Sequence, residues 1–315
     1  MIKQMSSGWM GFALAFGLGC GTVAAAASFG QELGVARAVV TANTRSNEAA
    51  SVIPREAVTV LANRKRQEIS DWTPLRGSRA ALQLVVLIDD SARSSLGSQL
   101  NDVRNFIDAM PPSTQIAVAY MRNGSSYMAQ NFTPDHAAAA QALRLPLAEP
   151  GANASPYFCL QDLVKRWPEG GDVRREVVMV TDGVDRYSGR GFNPENPYVQ
   201  SAIRDAQRAG VIIYSIYFRD AGRFDRGGFA TDSGQNYLVQ VSQSTGGEAY
   251  YQGFGNPVSF QPFLSDIQHK LENQYELSFR AAPKKDLVPL QVKTTQPNTK
   301  LQAPTLVPVK TLPVQ

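Results

Sequence analysis

The stretch from Leu84 to Gly97, "LVVLIDDSARSSLG", decides how the rest of the chain is read. An apolar run of strand length stops at two adjacent carboxylates, Asp89 and Asp90, and the hydroxyls of Ser91, Ser94 and Ser95 follow. A continuous apolar run fits a strand buried on both faces, the habit of a parallel sheet covered by helices. Beyond it, Leu96, Leu100, Val103, Ile107 and Met110 recur at steps of four and three, one face of an amphipathic helix that Pro111 and Pro112 close. A strand ending in this way presents oxygen atoms to a hard divalent cation, to a phosphate, or to solvent and the first turn of a helix.

Outward from this strand the same alternation repeats. A strand "QIAVAYM" meets a partner "SYMAQNF" across Asn123-Gly124, a hairpin signal that puts one antiparallel strand beside an otherwise parallel sheet. Helices follow at "PDHAAAAQALRL" and from Ser155-Pro156, then the strand "EVVMVT", the helix "YVQSAIRDAQRAG" stopped by Gly210, and the strand "VIIYSIYF". The helix "NYLVQVSQSTGG", the strand "EAYYQG" and the helix "FLSDIQHKLENQ" complete the series. The expectation is an α/β, Rossmann-like open sheet with helices on both faces over residues 81–274. Residues 54–80 contain a strand near "EAVTVL", and residues 275–315 are short β-rich stretches among prolines. We expect the two flanks to pair as a small β appendage whose prolines confine it to edges. Residues 28–53, rich in Ala, Ser and Asn without a period, read as a disordered segment.

The chain has 315 residues, of which 43% are hydrophobic and 18% charged, enough for one sizeable domain with appendages. Its 31 basic and 27 acidic residues leave a net charge of +4 without a long Lys/Arg run, so nucleic-acid binding is not indicated. Residues 1–27 read as a secretory signal: Lys3, an apolar core from Trp9 to Val23, and Ala25 and Ala27 before Ser28. The apolar core is shorter than the ~20 residues of a spanning helix. The mature protein is therefore expected outside the cytoplasm, periplasmic or secreted, without an integral membrane span. Cys20 in "GLGC" faintly resembles a lipoprotein cleavage site, with Gly17 where Leu is usual. Once the signal is removed Cys159 stands alone, which excludes an intramolecular disulfide, and its neighbours "SPYFCLQDLVKRW" suit a buried, inert thiol.

In an open α/β sheet, ligands bind beyond the carboxyl ends of the strands. Asp89 and Ser91, Ser155, and Asp182 in "VTDG" reach that edge from separate places in the chain, and two carboxylates with hydroxyls suit Mg²⁺ or Mn²⁺. On these residues the stretch from Leu84 to Gln274 resembles the von Willebrand factor A-type domains. Their metal-ion-dependent adhesion site is written Asp-x-Ser-x-Ser, a Thr from a middle loop, and an Asp in a Thr-Asp-Gly-like stretch. Within that family the chain resembles secreted domains of this type from soil bacteria, in "LGSQLNDVRNFI", "YMRNG" and "SPYFCLQDLVKRWP". The resemblance implies a fold rather than a biochemical activity, and it carries over Asp89, Ser91 and Asp182, with Ser155 as a substitute, as candidate metal ligands. Two positions depart from the pattern: Arg93 stands where the second Ser belongs, and Ser155 replaces the Thr. A guanidinium beside the site is able to take the cation's place on Asp182, and Asp90 either offsets that charge or supplies a replacement ligand. Singly, each element also has a plain structural role, as a helix cap or a strand-to-turn junction.

For function, two classes are weighed. An enzyme of the Mg-dependent phosphoryl-transfer or hydrolytic kind would use Asp89 and Asp182, but the chain has two His, no Gly-x-Ser-x-Gly elbow and no Gly-rich phosphate loop. A non-enzymatic binding module accounts for more. The loops "GVDRYSGRGFNPENPY" and "RDAGRFDRGGFATDSGQN" are long and rich in Gly, Arg and aromatics, and should join Asp89 at one edge. Arg93, Arg186, Tyr187, Arg219, Arg223 and Arg226 would form a ligand-binding rim suited to a protein segment or an acidic envelope ligand. Alternatively, the arginines pair with the interleaved aspartates and merely order the loops.

Overall fold

Two antiparallel flanks and a parallel core account for the folded chain. The computed structural model describes residues 34–44, 52–150, 152–168, 173–188, 192–219, 228–253, 255–282 and 286–310. The expected signal segment, Cys20, Arg223 and Arg226 lie outside the described residues. Before the core come strands β1 (Gly34–Thr44), β2 (Val58–Ala62), β3 (Lys65–Gln67) and β4 (Ile69–Pro74). The core runs β5 (Leu82–Asp89), α1 (Leu100–Asp108), β6 (Thr114–Arg122), β7 (Ser125–Thr133), α2 (His136–Gln141), α3 (Pro156–Lys165) and β8 (Arg174–Thr181). It continues through α4 (Pro197–Ala209), β9 (Val211–Tyr217), α5 (Phe229–Thr245), β10 (Ala249–Tyr250) and α6 (Gln261–Glu272). The chain ends in β11 (Gln274–Ala281), β12 (Leu287–Thr294), β13 (Thr299–Gln302) and β14 (Leu306–Lys310).

The core sheet has the order β10-β9-β8-β5-β6-β7, parallel except for β7. Its central strand β5 feeds two cores with alternate residues. Leu84, Val86 and Ile88 pack with α1, α2 and α6, whereas Val85 and Leu87 pack with α3, α4 and α5. The unbroken apolar run therefore reflects a strand with no solvent face. At the edge, Asn123 and Gly124 take positive φ values of 50° and 76°, the primed turn that joins β6 to antiparallel β7. The expected architecture, an α/β Rossmann-like open sheet covered on both faces with a β-rich flank drawn from both ends, is the one observed. No helix among the described residues is long and apolar enough to cross a membrane.

The flank departs from expectation in three ways. It is not small: its eight strands outnumber the six of the core sheet, in the order β3-β2-β12-β14-β1-β11-β4 with β13 also on β1. The segment 28–53, expected to be disordered, supplies β1, which pairs with β11, β13 and β14. The inward side chains of β1 are Ala36, Ala38, Val40 and Ala42, so its alternation is real but built from small residues with little hydrophobic contrast. Lastly, Pro289 and Pro308 sit in interior strands. Pro289 is tolerated because the β12–β14 ladder ends there and the β12–β2 ladder begins at Leu290, so it interrupts neither. The anticipated pairing of the "EAVTVL" segment with the tail is present as β2 against β12, Val58 opposite Thr294.

Candidate functional site

The strand order reverses direction at β5, with β6 on one side and β8 on the other, so the ends of β5 and β8 flank the switch point at which open α/β sheets bind ligands. Asp89 ends β5 at 3% exposure and accepts four hydrogen bonds. Its Oδ1 receives the Ser91 N–H at 3.0 Å, the Ser91 hydroxyl at 2.7 Å and the Asn153 amide at 3.5 Å, and its Oδ2 receives the Thr181 hydroxyl at 2.8 Å. Burial, and then the charge of nearby Asp182, raise its pKa despite these donors. Two carboxylates in one dry crevice favour a positive charge between or beside them.

That charge comes from the chain itself. Asp182 is 2% exposed, and Arg186, four residues on, sets Nη2 at 2.5 Å from its Oδ2 and Nη1 at 3.4 Å from its Oδ1. Sequence reasoning assigned this role to Arg93, but Arg93 is exposed and the guanidinium on Asp182 is that of Arg186. The loop is tightly held. The N–H groups of Arg186 and Tyr187 donate to the Ala154 carbonyl, and the Tyr157 hydroxyl donates to the Gly183 carbonyl at 2.7 Å. Gly183 has a φ of 69°, and a Cβ there would lie 2.6 Å from the Gly234 carbonyl oxygen, so the loop lies directly on α5.

The middle loop bridges the two carboxylates. Asn153, buried and not singled out from sequence, donates its N–H to the Ser91 hydroxyl at 3.3 Å and its amide to Asp89. Ser155 opens α3 as the residue before Pro156, yet its hydroxyl makes no cap bond and has no hydrogen-bond partner although fully buried. An orphaned buried hydroxyl on the loop that carries Asn153 is a group a bound cation could satisfy. The donor set of Asp89, Ser91, Ser155 and Asp182 is the oxygen chemistry of Mg²⁺ or Mn²⁺. Among the described residues no cluster of three or more His, Cys, Asp or Glu could hold a metal ion.

Asp90 turns away from the crevice. Its Oδ1 takes Arg144 at 2.6 Å and the Leu147 N–H at 3.0 Å, and Arg122 lies 3.2 Å from its Oδ2. Burial works to raise its pKa, but the Arg144 and Leu147 hydrogen bonds and the two guanidinium charges hold it below the ordinary value. It is thus neither a replacement ligand nor a counter-charge for Arg93; it anchors the loop after α2. Cys159 is buried, and burial first, then the Asp89 charge, push its thiol up to about 12, an unreactive state.

Of the expected rim, Arg186 faces inward, and Tyr187 is 62% exposed on an edge-to-face trio with Phe158 and Tyr198. Arg219 is half-buried, its N–H on the Asn256 side chain. Asp185 does not pair with an arginine; it takes the Asn196 amide at 2.7 Å and the Ser188 hydroxyl, so hydrogen bonds order this loop. Asp89 surrounded by donors and Asp182 ion-paired are not presented as a nucleophile or a general base. The Asp182–Arg186 pair is set by the path of a loop without a period, so neither it nor Asn153 carried a signal in the sequence.

No family model and no curated protein matches the chain. Among solved structures it is similar to a von Willebrand factor type A protein from Catenulispora acidiphila, at 10% identity over 89% of this chain and 75% of that one, TM-score 0.47. It is also similar to the conserved hypothetical protein BatB from Bacteroides thetaiotaomicron, at 14% identity over 61% of this chain and 98% of that one, TM-score 0.45. A third is proximal thread matrix protein 1 from the mussel byssus, solved with a zinc-occupied MIDAS motif, at 15% identity over 62% of this chain and 47% of that one, TM-score 0.42.

Proposed function

We propose that this is an exported, non-enzymatic binding module of the von Willebrand factor A type, whose adhesion site is degenerate and closed by an internal cation. The observation that carries this reading is the Arg186–Asp182 pair at the strand-end crevice, beside Asp89 and the orphaned Ser155 hydroxyl. Asp89, Ser91, Ser155 and Asp182 would hold Mg²⁺ or Mn²⁺ there, and such a cation would offer a partner's carboxylate one coordination position. With Arg186 seated, recognition falls to the loops around Tyr187 and Arg219, and the partner is a protein segment or an acidic envelope ligand.

Thermal melts with Mg²⁺, Mn²⁺ or chelator test this. The wild type and Arg93→Ser are expected to be indifferent to all three. Arg186→Ser is expected to gain stability with cation, by about 2.7 kcal/mol at a hundredfold excess over Kd, and to lose that gain when Asp182→Ala is added. A cation response in the wild type would show that Arg186 does not close the site; none in Arg186→Ser would remove the adhesion-site reading altogether.

A further inference from the structure

At the opposite edge of the core sheet, a cleft of about 560 Å³ separates β1 and β14 from the start of β8, the end of α4 and the start of β9. That volume lies in the range of about 300–1,000 Å³ usual for small-molecule sites. Val35, Val39, Ile212 and Val307 contribute to the apolar part of its lining. The lining also carries Arg37, Arg79, Arg174, Arg175, Arg208 and Lys310, against Glu276 as its only carboxylate among the described residues. Some of this charge is spoken for: Arg208 is paired with Asp286 at 2.8 Å, and Arg79 lies 3.9 Å from Asp71. Arg175 reaches the Pro168 carbonyl at 3.4 Å rather than a carboxylate.

Two buried lining residues each keep one polar atom that has no partner and is closed to solvent, and neither atom contributes to holding an anion. Arg174, 9% exposed, spends its Nη atoms on the carbonyls of Leu271 and Ala80 and on the Gln274 side chain, and leaves Nε without a partner. Gln207, 3% exposed, donates to Ser244 and Thr305 and leaves Oε1 without one. The carbonyl end of α4 also meets the cleft, but its partial charge of about half a unit is small against the full charges of Arg175 and Lys310.

We infer that this cleft binds a small amphiphile with an apolar tail and an anionic head. Apolar side chains set among the cations displace water locally, which strengthens the attraction of those cations for an anion. The site is separate from the Asp89–Asp182 crevice, so its occupancy stands independently of the adhesion-type reading.

Isothermal titration of the mature chain tests this with dodecanoate and dodecyl phosphate, each below its micelle concentration. Dodecanol, dodecyltrimethylammonium, acetate, inorganic phosphate and an oligoglutamate serve as controls. Either or both anionic amphiphiles should bind at one-to-one stoichiometry, the pair telling a carboxylate head from a phosphate head, and the controls should bind at least about tenfold more weakly. Arg175→Gln with Lys310→Gln should weaken binding about tenfold, Glu276→Gln should tighten it, and Asp182→Ala should leave it unchanged. Melts of each variant without ligand establish that it is folded. Equal binding of dodecanol or the cationic amphiphile, preference for oligoglutamate, no binding of either anion, or an unaltered affinity in the folded double variant would overturn the inference.

Discussion

The two edges of the core sheet bury carboxylates in contrasting ways. At the carboxyl edge, Asp89 accepts four hydrogen bonds and Asp182 a guanidinium. At the amino edge, Glu176 at the start of β8 is fully buried, and neither of its oxygens receives a hydrogen bond of ordinary geometry. The neighbouring Gln274 amide is turned to the hydroxyls of Thr41 and Tyr214. Burial pushes Glu176 up to about 7, against the opposing influence of Arg174 and the Gln274 amide. Deep burial raises both Asp89, despite its donors, and Glu176. Asp90 is inaccessible to solvent itself but lies at a shallower depth and is ringed by Arg144, Arg122 and Leu147, and it moves in the opposite direction. The sign follows from depth weighed against donors and positive charge.

The largest effect expected from this contrast belongs to Asp90. Asp90→Ala should destabilise the fold by about 3 kcal/mol, because it leaves two guanidinium groups and the Leu147 N–H without their acceptor. Denaturant unfolding at pH 7 measures it, and a loss below about 1 kcal/mol would mean that the pairs are no better than surface ones.

Glu176→Gln should act in the opposite direction. The folded pKa lies above the unperturbed 4.5, so between pH 4.5 and about 7 the folded state holds the proton longer than the unfolded chain. Stability therefore falls as pH rises through that window. The variant should be about 2 kcal/mol more stable than the wild type at pH 8, with the gap closing toward pH 4.5. A pH-independent difference would show that Glu176 is not the group that titrates.

The smallest effect sharpens the comparison most. Ser155→Ala removes an orphaned hydroxyl that makes no cap bond, so it should lie within about 1 kcal/mol of the wild type rather than show the usual loss of a helix cap. In the Arg186→Ser background, the same change should abolish the gain in melting temperature with Mn²⁺. Retention of that gain would remove Ser155 from the ligand set.

Much of the core was legible because its signals are strong and local. The β5 run is buried on both faces, Asn123-Gly124 forms the expected turn, and Gly210 ends α4 with a positive φ of 65°. The flank was less legible for a physical reason: β1 buries mainly alanines, and its partners lie at the far end of the chain. At the site, the candidate ligands could be picked out from their positions at strand and helix ends. Which guanidinium would reach Asp182 was not, since that depends on the path of the loop after Gly183 rather than on an element's period. Asn153 was missed because an asparagine in "GANAS" reads as an ordinary turn residue.

The place of β1 has a consequence in time. Its side chain Asn43 bonds Gln302 across 259 residues of sequence, and its backbone pairs with β11, β13 and β14, all of them late in the chain. At ordinary rates of synthesis, an emerging β1 waits about 10–50 s for its last partner. Pairings of such long range also close slowly once both ends exist. The core can wind itself up strand by strand while β1 remains an open thread, and the flanking sheet is the knot tied after it.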